Sequence, residues 1–275
     1  MHSASFLDRI AARASHITTA IEATGKSLTI LDKASAPQRF QFNDRGGAFL
    51  EWGARQATIW ADLDQPLHHI FHALLHLHRY WVAGVPQFWD QKRGCEGMLY
   101  EAERNFEHLV VIPVEITYFP EAFGYWVFYA EKKLFEFERD KRSRGNLRTK
   151  LFQLYLLAQA AFPCSQVADS ITAAVRGRGL MDEFTELAGI IFKNYHYKAF
   201  VLESLCLYGF GDVPTSVGVR WMERQPDEEG EQVYWASLKD YQTLRELPSL
   251  PLSLAHVDGS RIETTSVGRS ALGPA

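Results

Sequence analysis

The chain has 275 residues and a formal net charge of −4, so no overall basic field makes nucleic acid its default partner. Its 47% hydrophobic and 23% charged residues belong to a folded globular protein, not to a disordered or fibrous one. Cys95, Cys164 and Cys206 are widely spaced and contain no Cys-x-x-Cys pair, which argues against a disulfide framework.

The first residues, Met1 to Ile10, lack the basic start and apolar core of a signal peptide. Apolar-leaning stretches such as 151–162 are too short to span a bilayer. The expectation is a cytoplasmic protein with no membrane partner. From residue 4 to 24, Phe6, Ile10, Ala14, Ile17 and Ile21 recur at three- to four-residue intervals, predicting an amphipathic helix that stops at Gly25. Short β-like runs follow at 27–31, 38–42 and 57–61, with another at 48–52 after the turn signal Gly46-Gly47.

A helix over 65–83 comes next, capped by Asp62 or Asp64 and stopped by Gly84-Val-Pro86. Further helices are predicted over 98–117 and 121–139, the second dense in aromatic residues. The region from Phe40 to Tyr129, where aromatics concentrate, is expected to hold the main core. Beyond it, 147–161, 165–175, 181–193 and 196–208 read as helical. From Arg224 the sequence turns polar, with Pro226 to Glu231 as an exposed loop, and from His256 it reads as a disordered tail. The expected fold class is α+β: a small β-sheet, a central helix pair and a mostly helical C-terminal half. The expected domains are 1–146, a helical extension over 147–255, and the tail 256–275.

Five of the ten histidines fall between His68 and His78. At about 100° per residue, His68, His69, His72 and His76 share an arc of roughly 100°. Leu67, Ile70, Leu74, Leu77 and Trp81 lie on the opposite side, so imidazole and apolar faces are segregated. His72-Ala-Leu-Leu-His76 places two imidazoles at the i, i+4 spacing of zinc hydrolases. Zinc needs a further protein ligand, and Glu107 or His108 on the following helix is a chemically acceptable one. Glu101 and Glu103 lie on the same helix.

A strand followed by a His-x-x-x-His helix and then a helix with an acidic residue resembles the zincin-type metallopeptidases. The nearest sub-type is the ImmA/IrrE-like group of compact bacterial proteins, several of which cut repressors. The resemblance covers about residues 45–120. It implies zinc as cofactor, His72 and His76 as ligands with Glu107 as the third and His108 as its substitute, and a protein or peptide segment as partner. It also implies that the strand 57–61 is the edge that holds an extended peptide.

The departure is Ala73, which stands where that family carries its catalytic glutamate. In this chemistry the metal lowers the pKa of a water and the glutamate takes its proton, help worth about 10²–10⁴-fold. Alanine cannot do this. His69, one turn before Ala73, is the candidate substitute base, with Glu101 and Glu103 as others. Reading His68-His-Ile-Phe-His72 as the motif also lacks the carboxylate. Two functions stay open: a degenerate metallopeptidase-like protein, and a non-catalytic regulatory protein that binds peptide without metal.

Other signals are weaker. Gly209-Phe-Gly211 reads as a turn rather than a dinucleotide loop, Cys95 as an incidental cysteine, and the basic run from Arg139 to Lys150 as a solvated helix end.

Overall fold

A computed structural model describes residues 2–37, 47–90, 98–140, 150–157 apart from 152 and 156, 166–194, 198–211, 217–224 and 229–236. The strand predicted at 38–42, the domain boundary at 146, Cys95, Cys164 and the tail from His256 lie outside the described residues. The architecture is α+β, with a small three-stranded sheet and a predominantly helical C-terminal half. Contacts divide the chain into two compact units. One comprises Met1–Gln87, Glu115–Ala122 and Arg220–Val233; the other comprises Phe88–Val114, Phe123–Val219 and Tyr234–Ala275.

In the first unit, α1 (His2–Glu22) buries Ile10, Ala14, Ile17 and Ile21, the predicted apolar stripe. Its helical backbone is interrupted at Ala14 (φ −138°, ψ 51°). Gly25 ends the segment with φ +69°, a conformation glycine adopts without a Cβ penalty. Strands β1 (Ser27–Asp32), β2 (Phe49–Trp52) and β3 (Gln56–Ala61) form a sheet of order β1-β3-β2. β3 pairs in parallel with β1, Ile30 opposite Ile59, and antiparallel with β2, Leu50 opposite Ile59.

β3 is therefore the central strand, which corrects its expected role as the edge that captures a peptide. Its backbone donors and acceptors are taken by two neighbours, leaving none for a peptide to pair with. Burial of Ala57, Ile59, Trp60 and Ala61 fits a strand covered on both faces.

Helix α2 (His68–Trp81) follows β3. Its N-cap is Leu67, without a side-chain cap, in place of the predicted Asp62 or Asp64. Asp62 instead shapes the preceding turn, its carboxylate accepting from the Asp64 amide at 3.3 Å. The amides of His69 and Ile70 find the Pro66 and Leu67 carbonyls, both at 3.1 Å, so a tight first turn satisfies groups a cap would have served. At the other end, the Trp81 indole donates to the Gly53 carbonyl at 2.9 Å, tying α2 to the β2–β3 turn. Trp52 stacks on Tyr80 at 5.0 Å, and Phe71 packs on Phe119 at 4.7 Å.

In the second unit lie most of α3 (Met98–Tyr118) and α4 (Ala122–Glu138), with α5 (Gln166–Gly177), α6 (Met181–Asn194) and α7 (Lys198–Phe210). Tyr155 and Phe184 meet edge-on at 5.1 Å in its core. α4 is less buried than its aromatic content suggests. Trp126 and Phe137 are enclosed, whereas Phe123, Phe128 and Phe135 are exposed.

Arg178 closes the C-terminus of α4: its Nη2 donates to the carbonyls of Phe137, Glu138 and Asp140 at 2.8, 2.7 and 2.8 Å. The Phe137 carbonyl also accepts the Asp140 amide at 3.2 Å, and the other two lie at and just beyond the helix end, where intrahelical amides run out. Arg178→Ala is expected to lower unfolding free energy by about 1.5–3 kcal/mol, the scale of hydrogen bonds from a charged donor. Urea denaturation checks this, and an unchanged midpoint would show that water serves those carbonyls equally well.

A second sheet has the order β4-β5-β6, from Gln87–Asp90, Val217–Arg224 and Glu229–Ala236. None of its strands is predicted from the sequence. The polar loop expected through Glu231 gives way to β6 from Glu229 onward, while 225–228 lie outside the described residues.

Candidate metal centre

α2 places its histidines on one stripe, as its spacing requires, but the stripe does not face open solvent. His68 and His69 are buried, and His72 and His76 are half-buried. Buried imidazoles need polar partners, and the principal one is a residue the sequence reading passed over, Glu115 on α3. Its Oε1 lies 2.7 Å from His68 Nδ1 and its Oε2 lies 2.8 Å from His72 Nδ1. The Glu115 side chain is 1% exposed, so both bonds form out of water. Toward an ionised carboxylate each Nδ1 donates, and a neutral ring bonded in this way carries its lone pair on Nε2.

That lone pair on His72 points toward His76, whose Nε2 lies 3.2 Å from His72 Nε2. The rings are edge-on, with centroids 4.9 Å apart. The contact accommodates a hydrogen bond from His76 Nε2–H to His72 Nε2. It equally suits two ligands of one ion, because nitrogens held at ~2.0–2.1 Å around tetrahedral zinc stand about 3.3 Å apart. The distances from Glu115 to His68 and His72 are shorter than such an edge and match charge-assisted hydrogen bonds. Glu115 is therefore a hydrogen-bond partner of the rings and not a third ligand beside them. His72 and His76, both on α2, are among the described residues that could hold a metal ion.

The other predicted residues are placed as follows. His108 lies on α3 about two turns before Glu115, and its ring meets Trp126 edge-on at 5.5 Å. Pro113 stands between the two on the same helix. Glu107 is fully buried with its carboxylate 2.7 Å from Lys198 Nζ, and Glu103 takes the same ammonium at 2.5 Å. Glu103 and Glu107 thus form an ion cluster with α7. Burial pushes the Glu103 carboxyl up to about 7, with Lys198 opposing and Glu107 adding to the rise.

Ala73 is 2% exposed, its Cβ enclosed on the flank of the stripe. His69, the candidate base, packs against His68 with ring centroids 4.1 Å apart. Burial and the adjacent His68 push the His69 imidazole down to about 4. It is neutral at pH 7 and a weaker proton acceptor than an ordinary histidine. Glu101 lies in the first turn of α3.

Glu115 escaped the sequence reading because it sits in an apolar run, Leu109 to Ile116, where helix periodicity marks core. One signal could have found it. A lone carboxylate in such a run must be satisfied by a partner, and His68 and His72, one turn apart, offer two donors on one face.

Comparison with protein-family models, curated proteins and solved structures finds no match. The metallopeptidase reading therefore stands on the residues of this chain.

Proposed function

We propose that His72 and His76, with a third protein ligand, hold one divalent metal ion of the zinc class, and that the protein is metallopeptidase-like but slow or inert as a peptidase. The observation that carries this reading is the 3.2 Å approach of two Nε2 atoms, one on a ring whose Nδ1 is bonded to a buried carboxylate. Imidazole nitrogens suit zinc, and two of them with a third protein ligand leave a position open. The donor set fits the group.

Zinc in such a site supplies Lewis acidity. The chain's own residues supply orientation: Glu115 holds the His72 ring, and the i, i+4 spacing on α2 sets His76 beside it. Among the described candidates none is a strong base. Ala73 has no proton-accepting group, His69 is a weakened one, and Glu103 and Glu107 are engaged by Lys198. The partner in this reading is a protein or peptide segment. Capture along β3 is not available to it, since β3 is the central strand.

Purified protein expressed with added zinc should carry about one equivalent per chain, measured by elemental analysis. His72→Ala and His76→Ala should each remove it. Wild-type protein without zinc above background, or variants that retain it, would overturn the reading.

A further inference from the structure

We infer that Glu115 is a positioning residue for the metal ligand His72, and that His68 holds Glu115 in turn, so that His68, Glu115 and His72 act as one orienting chain. The inference rests on the metal reading and deepens it. A ligating histidine must present one nitrogen as a lone pair, and a hydrogen bond at its other nitrogen fixes which one. Glu115 does this for His72 by accepting from Nδ1 at 2.8 Å, which directs Nε2 toward His76.

The carboxylate needs its own fixing, because free rotation about its last bond would release the ring. His68 provides it from one turn earlier on α2, taking the second oxygen at 2.7 Å. The two bonds lie on opposite oxygens of one group, so they set its plane as well as its position. Both partners are almost wholly enclosed, His68 at 3% side-chain exposure and Glu115 at 1%. Water therefore competes weakly for either bond.

His68 thus has a function distinct from that of a ligand. The alternative motif register, with His68 and His72 as the binding pair, assigns it the wrong work. Glutamine at 115 keeps the shape but replaces one acceptor oxygen with a donor amide. It can accept from one ring and not from both.

Zinc affinity, by competition with a chromophoric chelator, should fall about 10–100-fold in Glu115→Gln, the usual scale for loss of a ligand's carboxylate partner. His68→Leu should give a loss of about tenfold by removing the anchor. His68→Asn, whose amide can place a donor near the position of Nδ1, should stay closer to wild type than His68→Leu. In wild-type protein stripped of metal, nitrogen-15 imidazole NMR should show His72 protonated at Nδ1. That measurement needs neither zinc nor a variant, so it decides the matter where Glu115→Gln does not fold.

Wild-type affinity in Glu115→Gln, equal losses in the two His68 variants, or an Nε2–H tautomer of His72 would each overturn the inference. Failure of wild-type protein to bind zinc would instead overturn the metal reading beneath it. The tautomer would still report whether Glu115 orients the ring.

Discussion

Replacing Lys198 by methionine should destabilise the protein by about 3–5 kcal/mol, the range found when one partner of a buried ion pair is removed. Lys198 Nζ stands 2.5 Å from Glu103 and 2.7 Å from Glu107, and the two carboxylates are 3% and 0% exposed. Methionine matches the length of the stem but leaves two enclosed acids i, i+4 on α3 with no cation between them. Like charges that close cannot both stay ionised out of water. The measurement is the urea midpoint at pH 8, where a shift under 1 kcal/mol would show that water reaches the cluster.

The pH dependence gives an independent check. The Glu103 carboxyl is raised from 4.5 to about 7 in the folded protein. A raised acid means that the folded state binds more protons than the unfolded state between those values. The associated stability is complete below about 4.5 and is lost as pH rises through 7. Glu103→Gln, which cannot ionise, should therefore narrow the difference between unfolding midpoints at pH 5 and pH 8. An unchanged difference would place the proton elsewhere.

Zinc-loaded Ala73→Glu should hydrolyse an unstructured peptide library about 10²–10⁴-fold faster than zinc-loaded wild type, the range for a positioned general base. The residue directly follows His72, a proposed metal ligand, and none of the described candidates there is a strong proton acceptor. The substitution also has a stability term. Ala73 is 2% exposed, so a longer side chain must displace neighbours, an overpacking effect of about 1–3 kcal/mol. Thermal unfolding must accompany the rate assay. A folded, zinc-loaded variant no faster than wild type would rule out a metallopeptidase-like centre that lacks only its glutamate.

The helices were legible because their signals are long and local. The Ile10, Ala14, Ile17, Ile21 stripe marks α1, and the segregated histidines mark α2. Strands β1 to β3 were legible as β-like runs, but their order was not. Which strand lies in the middle depends on pairings between distant segments, and Ala57 to Ala61 reads the same at an edge or at a centre. The β4-β5-β6 sheet was missed for a related reason. β4 is only four residues long, and the acidic residues around Glu229 resemble a solvated loop until a partner strand is known.

In the proposed site, His72 and His76 were recognisable from residue type and spacing. Glu115 was not, since its function depends on two donors more than forty positions earlier in the chain. Glu107 was the expected third ligand, with His108 as its substitute. Its engagement with Lys198 depends on α7, whose approach no local pattern encodes.

Glu115 also bears on how the end of α3 is aligned along α2. Aromatic contacts such as Phe71 on Phe119 are forgiving, since rings can slide past one another and recover much of the area they lose. A carboxylate held by two imidazoles is not. If the end of α3 slipped by one turn, about 5.4 Å, Glu115 would be carried away from both donors while still enclosed. The resulting penalty of several kcal/mol falls on the slipped arrangement alone. One enclosed carboxyl group with two imidazole partners thereby separates the native alignment from its nearest competitors.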